Sequence, residues 1–255
     1  MILSRIIHHL KTQNWTAVAI EFVIVIAGVA VGFEVSASGE RAAERAYEQD
    51  LLLRLHREIV NIEQGRERQQ DRIQRDRDLL VSVRPALFLA EERDRISSGE
   101  CIALLESHLL DPAPDSLPAL DELVATGRME SIRDEAIRSA TSAFLQRRES
   151  TRAQTPMLLS GITNLPRAFP DLLYFSLTPD PEVPDGDGWN REAHCALEGM
   201  QADRQFRTLA AQNIAQYRQL LGYHYAYVGE ALTELHQAID VRLDIEHPAE
   251  SGAEP

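Results

Sequence analysis

Residues 15–35 read WTAVAIEFVIVIAGVAVGFEV, and this apolar stretch decides how the rest of the chain is interpreted. At 1.5 Å per residue a helix of this length spans about 31 Å, which matches the hydrocarbon core of a bilayer. Two acids interrupt the stretch. Glu34 lies near one end, where its carboxylate can reach water, whereas Glu21 lies deeper. The stretch predicts a transmembrane helix over residues 15–36.

Glu21 is the unusual residue of this span, because an ionised carboxylate inside a bilayer is costly and needs a partner or a role. On a helix, Glu21, Gly28 and Gly32 fall along one stripe. A small-xxx-small pair lets two helix backbones approach closely, and a protonated carboxyl on the same stripe can hydrogen-bond across the interface. The stripe predicts self-association through the span. The alternative is a chance glycine pair, with Glu21 reaching the near interface.

The residues on either side of the span indicate its orientation. Residues 1–14 carry Arg5 and Lys11 but no acid, whereas four acids crowd residues 40–50. This asymmetry favours a cytoplasmic N-terminus and a periplasmic C-terminal domain in a bacterial inner membrane. Arg41, Arg45 and Arg54 also follow the span, so the count of basic residues does not decide the topology by itself.

A cleaved export signal is the alternative to a permanent anchor. Residues 35–37, VSA, resemble a signal-peptidase site that follows an apolar stretch. The length of the span and the acid within it favour an anchor that stays attached.

Composition excludes several classes of function. The formal net charge of −14 and the pI of about 5.0 argue against a general nucleic-acid binder, which needs a basic face. Lys11 is the only lysine, so the remainder of the chain has neither a P-loop nor a lysine that could form a Schiff base.

Two long helices are predicted beyond the span. Apolar residues recur every three or four positions from Tyr47 to Ile62, and again from Ile214 to Ile239 within a predicted helix over residues 202–242. Each helix would expose its apolar stripe unless it packed against the other, so we expect an antiparallel pair with shorter helices between. The predicted fold is all-α, with the transmembrane helix continuing into this bundle over residues 37–246.

The middle of the chain carries signals for helix ends. Ser97 and Glu100 form a capping-box pattern that opens a helix, and Gly127 is placed to end another. A second box, Ser131 with Asp134, precedes a helix with a predicted buried stripe at Ile137, Thr141 and Phe144.

Two segments are predicted to be non-helical. Residues 165–189 contain five prolines and are expected to form the longest loop, and residues 247–255 are expected to be a disordered tail. No strand pattern of useful length is visible.

Cys101 and Cys195 are the only cysteines. In an oxidising periplasm they predict one disulfide, which would link a mid-chain helix to the segment before the last helix. In the cytoplasm the alternative is a pair of buried free thiols.

Two further groups of residues could act as metal ligands. His108 and His194 lie near the two cysteines in sequence, but their spacing matches no standard zinc pattern. Residues 184–190, PDGDGWN, lack the glycine and glutamate of a calcium loop and are interpreted as a turn. The sequence therefore predicts no metal site and no cofactor.

The segment YHYAYV places four polar aromatic residues on consecutive helix faces, so some must point away from the helix pair. They are a candidate ligand pocket or oligomer interface, and core packing with some surface tyrosine is the simpler explanation. The four residues are Tyr223, His224, Tyr225 and Tyr227.

Three stretches resemble an uncharacterised family of bacterial single-span membrane proteins: residues 14–35, residues 120–146, and, more loosely, residues 195–217. The resemblance implies the topology and the helical fold, and it implies no active site. The chain departs from the family where SASGE, residues 36–40, follows the span in place of an asparagine-tryptophan pair.

The sequence contains no nucleophile elbow, HExxH motif or glycine-rich phosphate loop, so we expect no catalysis. The predicted function is a membrane-anchored, self-associating helical module that contacts another envelope protein as a structural or signalling accessory. The alternative is a periplasmic sensor domain that binds a ligand or a metal.

Overall fold

The computed structural model describes residues 15–89, 91–179 and 188–247. The chain divides into two compact units, residues 1–51 and residues 52–255. Helix α1, Trp15–Ser82, begins in the first unit and ends in the second. About 75% of the chain is helical, which confirms the predicted all-α class. The predicted N-terminal tail, residues 1–14, and residues 248–255 of the predicted C-terminal tail lie outside the described residues.

The first unit presents an apolar helical surface. Large apolar side chains between Ile20 and Val35 are 51–74% exposed, and no other part of the described chain has a helix long and apolar enough to cross a membrane. The most apolar window of the helix has a mean hydropathy of 1.9 and none of it is buried. By length and composition this helix can span a bilayer.

The second unit is built from the C-terminal part of α1 and a series of shorter elements. In chain order these are α2 Arg84–Phe88, α3 Ser98–Glu106, α4 Pro118–Ala125, a 3-10 turn Met129–Ser131, α5 Glu135–Ser160, α6 Leu165–Ala168, β1 Leu173–Pro179, β2 Trp189–Cys195, α7 Leu197–Ala202, α8 Arg204–Leu220, a π-helical segment Leu221–Tyr227 and α9 Val228–Leu243.

The helix starts and ends follow local chemistry. The Ser97 side chain accepts a hydrogen bond from the Glu100 amide while the Glu100 side chain accepts one from the Ser97 amide, so the predicted capping box is confirmed. Gly127 has a φ of +66°, as a helix-ending glycine requires. The second predicted box is wrong. Asp134 itself caps α5 by accepting hydrogen bonds from the amides of residues 136 and 137, and Ser131 ends the preceding turn.

The long C-terminal helix contains a π-helical segment between α8 and α9. A π turn leaves backbone carbonyls misaligned with their usual donors. The buried Arg66 guanidinium of α1 donates to the carbonyls of His224 and Tyr225, the second at 3.3 Å, and to that of Pro114 at 2.8 Å. A charged side chain from the neighbouring helix therefore satisfies the carbonyls that the π turn frees.

α1 and α9 run antiparallel in the second unit, as their contacts show. His56 of α1 meets Asp240, and Glu63, two turns further along α1, meets His236, one turn back along α9. α5 packs antiparallel to the C-terminal helix formed by the π-helical segment and α9, because Arg147 contacts Glu230 and Thr155 contacts His224. The predicted stripe of α5 is buried: Ile137, Thr141 and Phe144 are each 0% exposed.

The segment predicted as the longest loop contains a β-hairpin. β1 and β2 pair antiparallel, with Leu173 opposite Cys195 and Pro179 opposite Trp189. Residues 180–187, which include Asp185 and Asp187 of the acidic turn, lie outside the described residues. The strands escaped prediction because only Leu173 of β1 is buried, so neither strand shows the alternating pattern of a half-buried strand.

Candidate metal centre

Three histidines and one aspartate from three chain segments meet at one end of the helix pair. His56 lies on α1, and His236 and Asp240 lie one turn apart on α9, so their side chains share a helix face. His247 follows the end of α9. One ligand atom from each of the four side chains lies within 4.8 Å of every other.

The side chains converge on the Asp240 carboxylate. The His56 Nε2 atom lies 3.1 Å from Asp240 Oδ1, and the His236 Nε2 atom lies 3.6 Å from the same oxygen. The His247 Nε2 atom lies 3.0 Å from Asp240 Oδ2. The imidazole centroids are 4.9 to 5.6 Å apart, so the three rings surround one small space.

Three of these polar atoms are buried without a hydrogen bond. Within the described part of the chain, His56 Nε2, His236 Nε2 and Asp240 Oδ1 have no hydrogen-bond partner. The contact at 3.1 Å between His56 and Asp240 has the length of an ion pair but not the alignment of a hydrogen bond. A buried polar atom left unpaired costs about 1–3 kcal/mol. A cation at the centre would satisfy all three atoms at once.

A reversal of the chain brings His247 back to the cluster. Asp244 ends α9 in the left-handed region, with φ 56° and ψ 43°. Aspartate tolerates this conformation better than most residues because its short side chain bonds locally. The Ile245 amide then donates to the Asp240 carbonyl at 3.1 Å, which turns the backbone over the last turn of the helix. His247 is the most exposed of the four side chains, at 46%.

Glu63 contacts the cluster through the second ring nitrogen of His236. Its Oε2 atom lies 2.7 Å from His236 Nδ1, on the opposite edge of the ring from the atom that faces Asp240. In metal sites the second nitrogen of a ligating histidine usually donates to a carboxylate, which fixes the tautomer and directs the other nitrogen to the metal. Burial raises the pKa of Glu63, and the neighbouring His236 opposes that rise. This arrangement orients His236 Nε2 toward the centre.

The electrostatics of the cluster suit a divalent cation. Burial lowers the pKa of His56, against the opposing effect of Asp240, and so favours the neutral imidazole that ligates metals. Asp240 and Glu63 supply carboxylate groups that a divalent ion can neutralise. In tetrahedral zinc sites the metal–ligand bonds are about 2.0–2.2 Å, which places ligand atoms about 3.3 Å apart. Small side-chain movements from the present separations would reach that geometry.

The two cysteines predicted to pair are joined in the structure. The Cys101–Cys195 disulfide links α3 to β2, with the Cα atoms 5.8 Å apart. Because their sulfurs bond to each other, they provide no thiolates for the zinc alternative weighed from the sequence. His108 Nδ1 lies 3.1 Å from the Leu105 carbonyl, and His194 Nε2 lies 2.7 Å from the Ser176 hydroxyl, so both histidines have local partners.

The aromatic segment predicted as a candidate pocket is divided by the structure. Tyr223 and His224 line a small cleft of about 250 Å³ beside α5, whereas Tyr225 is buried and Tyr227 lies under the Arg147 guanidinium at 4.9 Å. His224 is occupied by a 3.2 Å contact with the Thr155 hydroxyl. The four residues therefore do not line one common pocket.

Gly28 and Gly32, predicted to mediate helix association, lie within α1 and have open space around them. A Cβ atom added at either position would meet nothing within 4 Å. Glu21 lies in the same helix, and its side chain falls outside the described residues.

Sequence reasoning missed the histidine cluster. The spacing of His236 and Asp240, one turn apart on a predicted helix, was the available signal. The other two ligands could not be assigned, because His56 needs the antiparallel register and His247 needs the left-handed turn at Asp244.

No protein-family model, curated protein or solved structure matches this chain. The family resemblance seen in the sequence therefore stays a prediction.

Proposed function

We propose that this protein is a membrane-anchored module whose helical domain binds a divalent transition-metal ion, with His56, His236, Asp240 and His247 as ligands. The observation that carries the proposal is the set of three buried atoms without hydrogen bonds that face one another, His56 Nε2, His236 Nε2 and Asp240 Oδ1. Native proteins rarely leave such atoms unpaired, and an ion explains the three together.

Zinc is the metal that this ligand set suits best. Three imidazole nitrogens and one carboxylate oxygen are borderline ligands for a four-coordinate ion, and oxygen-seeking ions such as calcium and magnesium prefer sites without imidazole. Four protein ligands fill a tetrahedral shell and leave no position for a substrate or an activated water. This supports a binding or sensing role for the metal and favours a protein that is not an enzyme.

We place the domain on the periplasmic side of a bacterial inner membrane. The exposed apolar part of α1 supports the anchor. The disulfide supports an oxidising compartment, because disulfides are rare in reducing ones. The charge asymmetry around the span supports a cytoplasmic N-terminus.

Metal titration of the full chain in detergent tests the metal proposal. After removal of metals with a chelator, zinc is added in competition with a chromophoric chelator of known affinity. We expect one equivalent to bind. His236→Ala and Asp240→Ala should each weaken binding at least 100-fold, because each removes a ligand, whereas the control His108→Ala should bind like the wild type. Equal affinity in all four proteins would contradict the proposed ligand set.

Self-association through the span is the second candidate function, and the small-xxx-small pair Gly28 and Gly32 in the exposed apolar part of α1 supports it. In this role the domain would bind another envelope protein and act as its structural or signalling accessory. In a membrane two-hybrid assay, the double substitution of Gly28 and Gly32 by isoleucine should weaken association. The control is Ala30→Ile, which adds bulk about 200° around the helix from Gly28. Equal association of the two variants would argue against this interface.

A further inference from the structure

A second cleft lies beside α2 in the second unit. It has a volume of about 570 Å³, within the usual range for small-molecule sites. One wall is formed by the end of α1 and by α2, and the other by α8. None of the histidine cluster lines it, so the cleft is independent of the proposed metal function.

Seven of the ten residues that line the cleft are apolar. Val81, Phe88 and Leu89 come from the first wall, and Ile214 comes from α8. Leu89 is 75% exposed and Val81 is 37% exposed. Ala211 and Ala215 face them from α8, and their small side chains leave the space between the walls open. Exposed apolar side chains around a concavity indicate a site for an apolar ligand group.

Three arginines also line the cleft. Arg77 contacts Asp78 at 3.2 Å and is already paired. Arg84 and Arg218 are exposed and come from opposite walls, and among the described residues neither guanidinium group makes a hydrogen bond or an ion pair. In a chain with a net charge of −14, two unpaired arginines beside one apolar cleft are a local reversal of charge. A guanidinium binds a carboxylate through two parallel hydrogen bonds.

We propose that this cleft binds a single-chain amphiphile with a carboxylate head, a fatty acid in the simplest case. The acyl chain lies along Val81, Phe88, Leu89 and Ile214, and the carboxylate is held between Arg84 and Arg218. The apolar lining of the cleft selects against small polar anions. The two arginines select against neutral lipids and alcohols.

Photo-crosslinking of the full chain in phosphatidylcholine nanodiscs tests this assignment. The probe is a hexadecanoic acid that carries a diazirine in its chain, compared with the matching hexadecanol and hexadecyl phosphate. Labelled peptides are quantified by mass spectrometry. The label on residues 77–89 and 211–218 is divided by the label on the apolar segment 15–35, so that partition of the probe into the bilayer cancels.

For the wild type we expect this ratio to be at least tenfold higher with the acid than with the alcohol. The double variant Arg84→Ser/Arg218→Ser should lower the ratio at least tenfold. The charge-matched control Arg75→Ser/Arg204→Ser removes two exposed arginines outside the cleft and should leave it unchanged. Ala215→Phe keeps both arginines but fills the cleft, and it should lower the ratio as the double variant does.

Circular dichroism on each variant identifies any that fails to fold, and Ala215→Phe and the arginine pair test the site independently. Equal ratios for acid and alcohol, or wild-type labelling in both test variants, would overturn the proposal. A higher ratio for the alkyl phosphate than for the acid would overturn the assignment of a carboxylate head.

Discussion

Two regions of the domain combine histidines with other potential metal ligands, and they differ in how well their polar atoms are satisfied. At the hairpin, Cys101 and Cys195 are bonded to each other and His194 contacts the Ser176 hydroxyl. At the end of the helix pair, His56 and His236 face Asp240 with nitrogens that have no hydrogen bond. The polar groups of the first region therefore have local partners, whereas the second region keeps three buried polar atoms without a hydrogen bond.

Residue type is therefore a weaker guide to a metal site than the presence of buried polar atoms that lack a hydrogen-bond partner. Cys195 of the hairpin and Cys101 of α3 are of the type that usually signals zinc, and their disulfide removes them as ligands. The histidine cluster has no sequence motif, yet three of its buried polar atoms lack a hydrogen bond, which is costly for a buried group.

Removal of the disulfide should destabilise the domain without changing its metal affinity. The bond closes a loop with a sequence separation of 94 residues. In the chain-entropy model the double variant Cys101→Ser/Cys195→Ser loses about 4–5 kcal/mol of unfolding free energy. Chemical denaturation measures the loss, and zinc titration of the same variant serves as the control. A parallel loss of zinc affinity would place the metal at the cysteines.

Zinc should stabilise the domain through the histidine cluster. At a free zinc concentration 100 times the dissociation constant, the unfolding free energy should rise by about 2.7 kcal/mol. The same rise is expected in the disulfide-free variant, because the bond is not part of the site. His236→Ala should show almost none of it at the same zinc concentration. Denaturation curves with and without zinc distinguish these outcomes.

Glu100 should matter for stability at neutral pH but not in strong acid. Burial by itself raises its pKa, but hydrogen bonds from Arg93 at 2.7 Å, the Ser97 amide at 2.8 Å and the Ser82 hydroxyl at 2.9 Å prevail and lower the pKa to about 2. Because this pKa lies below the ordinary value of 4.5, the carboxylate's stabilisation is present above pH 4.5 and is lost as the pH falls toward 2.

The variant Glu100→Gln should therefore be less stable than the wild type by about 2 kcal/mol at pH 7, and the difference should shrink below pH 4.5. Glu130→Gln, at an exposed acid, is the matched control and should cost almost nothing. A difference that stays constant from pH 7 to pH 2.5 would argue against an ionised Glu100 in this network.

Glu63→Gln should have the smallest effect, on affinity rather than on stoichiometry. The substitution weakens the carboxylate contact with His236 Nδ1 but leaves the four ligands in place. Loss of such a partner typically costs 10–100-fold in metal affinity, and we expect about tenfold here. Glu67→Gln, one helical turn further along α1, is the control. Equal zinc affinities in the two variants would show that Glu63 does not orient His236.

The helical part of the fold could be predicted because its signals are local. The stripe at Ile137, Thr141 and Phe144 and the box at Ser97 and Glu100 each depend on residues a few positions apart. The hairpin could not be predicted from alternating apolar and polar residues, because strands that are mostly exposed need no apolar face. The disulfide at Cys195 ties the open end of the hairpin to α3 instead.

The site was harder to predict because its ligands meet only in the folded domain. His236 and Asp240 could be paired from their spacing, but His56 is far away in sequence and enters through the packing of α1 against α9. His247 fell in a predicted tail, and only the reversal at Asp244 returns it to the helix. The complete site could not be predicted because it depends on the register between α1 and α9 and on the left-handed conformation of Asp244.

X-ray absorption spectroscopy at the zinc edge, on the full chain loaded with zinc, identifies the atoms bound to the metal. We expect four nitrogen or oxygen neighbours at about 2.0–2.1 Å, with the outer-shell scattering of imidazole rings and no sulfur. A sulfur shell at about 2.3 Å, or a spectrum without imidazole scattering, would contradict it.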